Sequence, residues 1–116
     1  MSYKSALIAA GAEVLEFKSF GQYSGTWYAK VKYEGETGWT SGWYGSCTVC
    51  DSFEGEFGYD DDEKPDYQER LADFGRGYLA TQPAAFFLAP LDEQAEWDIE
   101  AEDAANWIRG IEGNNV

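Results

Sequence analysis

The sequence predicts an α+β domain: a three-stranded antiparallel sheet within residues 12–46, covered by helices over residues 66–79 and 92–110. Three observations predict it. Apolar residues alternate with polar ones early in the chain and recur at helical spacing after Gly45. Aromatic residues make up 17% of the chain, enough for a core despite few Val and Ile, because each large ring buries roughly 150–250 Å². The length of 116 residues suits one domain; a chain of that size buries roughly two-thirds of the surface its unfolded form exposes and folds without a metal or disulfide.

The N-terminal stretch Met1–Ala12 has a short apolar run that meets a charge at Glu13. That pattern fits a short amphipathic helix or lead-in segment better than a signal peptide. The first strand covers Glu13–Lys18, where the alternation breaks only at Val14-Leu15. Gly21–Gly25 forms a loop. The second strand, Thr26–Tyr33, places Trp27, Ala29, Val31 and Tyr33 on one face and Tyr28, Lys30 and Lys32 on the other. Glu34–Thr37 turns, with Gly35 available for a positive φ. Gly38–Tyr44 pairs back as the third strand, and its glycines point to a bulge or a close backbone approach. A meander of this kind has one face for the later helices to cover.

Asp66-x-x-Glu69, with Pro65 before it, signals a helix start. Tyr67, Leu71, Phe74 and Tyr78 then form one apolar stripe. Gly75 and Gly77 each cost about 1 kcal/mol against Ala, so the helix ends near them. Ala84–Ala89, bracketed by Pro83 and Pro90, carries no period that assigns it. The last helix, Asp92–Gly110, has a stripe of Trp97, Ala101, Ala104, Ile108 and Ile111, with Gly110 and Gly113 as stop signals.

Charge is distributed unevenly. Residues 1–50 balance four lysines against four glutamates. The whole net charge of −14 therefore lies in residues 51–116, where 18 acids face Lys64, Arg70, Arg76 and Arg109. Such a field repels nucleic acid and anionic lipid and attracts basic surfaces. No apolar run approaches the length of a membrane span. With no histidine, the commonest general base is missing, and no glycine-rich phosphate loop precedes a helix. The expectation is a non-enzyme without a cofactor.

Two acidic groups are candidates for partner binding. Glu96, Glu100 and Asp103 fall at i, i+4 and i+7 beside the last helix's apolar stripe, and Trp107 ends their line as an aromatic anchor. Carboxylates at regular spacing on a rigid helix can stand where phosphates stand on a nucleic acid and engage a partner's Arg and Lys groups. The bland alternative is a solvated helix face on which Trp107 packs locally. Asp60, Asp61, Asp62 and Glu63 form the second group. They do not make a calcium loop: counted from Asp60, the sixth position is Pro65 rather than Gly and the twelfth is Leu71 rather than Glu.

Cys47-Thr48-Val49-Cys50 is the one motif that suggests reactive chemistry. Zinc needs four ligands, and one chain offers only these two thiols. Redox use wants the motif ahead of a helix N-terminus within a βαβ unit, which the meander does not supply. Two close cysteines make no secreted disulfide framework, so a cytoplasmic setting with reduced thiols is expected.

Tyr23–Val31, Gly38-Trp39 and Tyr44–Asp51, with its Gly-Ser-Cys-x-x-Cys-Asp element, resemble a group of small bacteriophage-encoded accessory proteins of unassigned function. The resemblance covers about residues 20–80 and carries over no catalytic residue. It implies action in the bacterial host cytoplasm, where small acidic phage proteins inhibit nucleases, restriction or CRISPR effectors, or polymerases. The leading expectation is an acidic inhibitor of a basic, nucleic-acid-binding host protein, acting through a negatively charged, nucleic-acid-mimicking surface and itself contacting neither nucleic acid nor membrane. The alternatives are a thiol redox or metal-binding protein centred on Cys47 and Cys50, and a phage structural or accessory protein.

Overall fold

The alternation over residues 26–33 becomes the central strand of a three-stranded antiparallel sheet, in a computed structural model that describes residues 2–21, 24–45 and 65–113. The strands are β1 (Glu13–Gly21), β2 (Gly25–Tyr33) and β3 (Glu36–Tyr44), in that order across the sheet. Four helices accompany them among the described residues: α1 (Ser2–Ala9), α2 (Tyr67–Arg76), α3 (Ala84–Gln94) and α4 (Ile99–Gly113). The chain divides into two compact units, Met1–Thr81 and Gln82–Val116, where the sequence reads as one domain.

The break in alternation at Val14-Leu15 is a β-bulge. Val14 pairs with Val31 and Glu16 with Lys30, which leaves Leu15 as the extra residue, 42% exposed. A one-residue slip flips side chains to the other face. The bulge therefore lets Val14 and Phe17, an odd number of residues apart, both pack on the core. Between β2 and β3, Tyr33 pairs with Glu36, and Glu34 (φ 53°) and Gly35 (φ 84°) make the two-residue turn. Positive φ at both positions is what a hairpin turn matched to strand twist requires.

One face of the sheet is covered by α1 and α2. Tyr3, Ala6 and Leu7 on α1 and Ala10 just after it are buried at i, i+3, i+4 and i+7, the helical option for the N-terminal stretch. Gly11 closes that helix at φ 101°: its N–H donates to Ile8 O at 3.0 Å, and the N–H of Ala12 donates to Leu7 O at 3.1 Å. These are the paired bonds of a Schellman cap, and Ala12 and Leu7 sit in the same buried cluster. From α2, Leu71 is buried and Tyr67 and Phe74 pack on the cluster, and Tyr78, in the turn just past the helix, joins them as the stripe predicts. Asp66 occupies the N-cap position but makes no side-chain capping bond; its carbonyl accepts from Arg70 N–H at 2.9 Å.

Trp27 centres this core. Its ring centroid lies 5.4 Å from Phe17 (stacked), 5.3 Å from Tyr3 and 5.2 Å from Tyr78. The indole Nε1 is buried and has no hydrogen-bond partner among the described residues. An unmade bond of that kind costs about 1–3 kcal/mol. Burying roughly 200 Å² of indole at about 25 cal/mol per Å² returns about 5 kcal/mol, so packing outweighs it. The opposite face is also buried at its centre: Tyr28, Lys30 and Trp39 are 7%, 8% and 1% exposed. The expectation of a sheet with a single face to cover is corrected there, because β2 and β3 carry bulky aromatics on both sides.

The second unit is a helical pair. Ala84–Ala89, unassigned by period, opens α3, with Pro83 at its N-cap and Pro90 inside it. The expected single helix over residues 92–110 is instead the end of α3, a turn over residues 95–98, and α4. Asp98 explains the break. Its side-chain Oδ1 accepts the Glu100 N–H at 2.9 Å and satisfies an open donor of the first turn of α4. Leu91 on α3 and Ala101, Ala104, Ala105 and Ile108 on α4 are buried, and the two helices pack on each other.

Candidate functional site

Gln82–Val116 carries half of the chain's net negative charge. It holds eight acids (Asp92, Glu93, Glu96, Asp98, Glu100, Glu102, Asp103 and Glu112) against Arg109 alone, a net of −7 and half of the chain's −14. Arg109 is already paired with Asp92, joining α4 to α3, with both side chains about half exposed. Exposed ion pairs contribute only ~0–1 kcal/mol, so this one affects the unit's outward charge more than its stability. Glu93, Glu96, Glu100, Glu102 and Asp103 are all exposed.

The acidic line expected along one helix is split. Glu100 and Asp103 lie on α4, but Glu96 lies in the turn before it, so it cannot continue their row. Trp107 is half-buried on α4, on the flank between the buried stripe of Ala101, Ala104 and Ile108 and the open side. Asp60, Asp61, Asp62 and Glu63, with Cys47 and Cys50, lie outside the described residues.

Trp97 corrects the sequence reading most. The period places it on the buried stripe of a continuous helix, yet it is 73% exposed, because the Asp98 cap restarts the helix and rotates Trp97 out of phase. Its N–H donates to Gln94 O at 3.1 Å, and Asp98 N–H donates to the same carbonyl at 2.9 Å, which holds the turn. Ile99 (72%) and Phe86 (59%) are exposed in the same unit.

This turn and the end of α3 shape an open cleft of about 570 Å³, lined by Pro90, Glu93, Gln94, Glu96 and Trp97. Pro90 and Trp97 give it apolar surface, and two carboxylates give it charge without any base. Sequence reasoning missed Glu93 and Trp97 as site residues. The available signal was Asp98 followed by Glu100 and Glu102, an acidic first turn of a new helix. Among the described residues no group of three or more His, Cys, Asp or Glu is placed to hold a metal ion, and no helix is long and apolar enough to cross a membrane. Compared with family models, with curated proteins and with solved structures, the chain matches none.

Proposed function

We propose that this chain is a non-enzymatic acidic binding protein that occupies the nucleic-acid-binding surface of a basic partner. One observation carries the reading: the second unit presents a net charge of −7 on 35 residues, with its single base already paired. Exposed carboxylates on a packed helical pair compete for the Arg and Lys groups that otherwise neutralise phosphates. Such a field raises the association rate of a basic partner and loses effect with salt, since the Debye length is about 8 Å at physiological ionic strength. In the bacteriophage setting implied by the Gly-Ser-Cys-x-x-Cys-Asp resemblance, the partner is a host nuclease, restriction or CRISPR effector, or polymerase.

The test is capture from bacterial lysate with the parent chain and with a variant carrying Glu100→Gln, Glu102→Gln and Asp103→Asn. The parent is expected to retain a nucleic-acid-binding protein that duplex DNA or moderate salt releases, and the variant to lose it. Capture that ignores charge, salt and DNA would refute the reading.

A further inference from the structure

We infer that the cleft between Pro90, Glu93, Gln94, Glu96 and Trp97 is a recognition site for an arginine side chain of a basic protein segment. The inference rests on the acidic-binding reading above and adds to it the chemical group that is recognised and the place that receives it.

Trp97 is the aromatic side chain of the cleft. An indole 73% open to water gains nothing for the fold, and no described residue forms a ring or ion contact with it. Its π face carries negative potential that attracts a cation within about 6 Å. Glu93 and Glu96 line the same cleft, and neither is ion-paired to a described residue. Two carboxylates that share an open cleft with an indole make a concave surface with negative charge and no base of its own.

The combination selects guanidinium over ammonium. A guanidinium is flat and weakly hydrated, so it can stack on the indole while its edge N–H groups still reach carboxylates. An ammonium is compact and strongly hydrated, and it gives up more water to lie against an aromatic face. Pro90 adds apolar surface for the methylene stem of the incoming side chain. The backbone bonds from Trp97 and Asp98 to Gln94 O set the turn before a partner arrives, which lowers the ordering cost of binding.

Hexa-arginine and hexa-lysine peptides carry equal charge and separate this site from general attraction. Their affinities for the full chain are measured by calorimetry at low salt. The parent is expected to bind hexa-arginine more tightly. Trp97→Ala should weaken hexa-arginine roughly three- to thirtyfold and erase the preference while hexa-lysine changes little. Trp97→Phe should keep part of the preference, and Glu93→Gln with Glu96→Gln should weaken both peptides and narrow the gap. Glu100→Gln with Asp103→Asn, away from the cleft, should weaken both equally and leave the preference intact. Equal binding of the two peptides by the parent, or a preference that survives Trp97→Ala, overturns the inference but leaves the acidic-binding reading standing. Failure of the parent to bind either peptide at low salt overturns both.

Discussion

Gly42 stands directly across from Trp27 in the sheet, and a Cβ at that position would fall 2.7 Å from Cζ2 of the buried indole. Real Cβ atoms do not approach so closely, so the ring occupies the space that a side chain on β3 would need. Gly42→Ala is expected to lose about 1–3 kcal/mol through overpacking. Chemical denaturation measures it, and an unchanged midpoint would mean that the Trp27 ring can shift. In a Trp27→Phe background the same substitution should cost less, because the smaller ring vacates the site.

Helix propensity and packing make opposite forecasts at Gly75. Alanine in a helix interior gains about 1 kcal/mol over glycine from propensity alone. Here a Cβ would lie 2.0 Å from the Ala6 carbonyl oxygen, which is backbone and cannot rotate away. Gly75→Ala is therefore expected to force α1 off α2 and lower the melting temperature. Gly110 on α4 is the control, since nothing lies within 4 Å of its added Cβ. Gly110→Ala should raise stability by about 0.5–1 kcal/mol. If both variants moved in the same direction, close approach of α1 and α2 would not be what holds Gly75.

Asp98 separates α3 from α4 through its bond to Glu100 N–H. Asp98→Ala is expected to cost about 1 kcal/mol, with Asp98→Asn close to the parent because its amide oxygen can accept the same bond. Circular dichroism with thermal melting reads both. The alanine variant should also alter the cleft, since the turn that exposes Trp97 ends at this cap; a matched loss of hexa-arginine preference would tie the cap to the site.

Burial pushes the Tyr28 phenol above its ordinary range. The unfolded chain then ionises first as pH rises. The stability that this group contributes is complete below about pH 10, the unfolded value, and is lost as pH climbs through the raised folded value. Melting temperatures followed from about pH 9 upward should fall less steeply in Tyr28→Phe than in the parent. Parallel curves would show that Tyr28 does not govern alkaline unfolding.

Local pattern was sufficient wherever the neighbouring residues in sequence decide the conformation. The period of two over Thr26–Tyr33 made β2, and the broken alternation noted at Val14-Leu15 falls where β1 bulges and brings Val14 and Phe17 to one face. The stripe of Tyr67, Leu71, Phe74 and Tyr78 identified the side of α2 that meets the core. Gly35 marked the turn between β2 and β3. The concentration of acids in the second part of the chain is likewise a property of the sequence alone.

Tertiary structure decided what depends on which atoms meet across the fold. Gly75 reads as a helix weakener, and only the arrival of the Ala6 carbonyl gives it a packing role. Gly42 signals a close approach, but the sequence does not name Trp27 as the group that approaches. Trp97 reads as buried because a helical period counts through residues 95–98, and a single side-chain bond from Asp98 resets that count. That bond turns an expected core residue outward and divides Glu96 from Glu100 and Asp103. Periodicity assumes an unbroken helix, whereas a capping carboxylate competing for a backbone N–H sets where the helix begins.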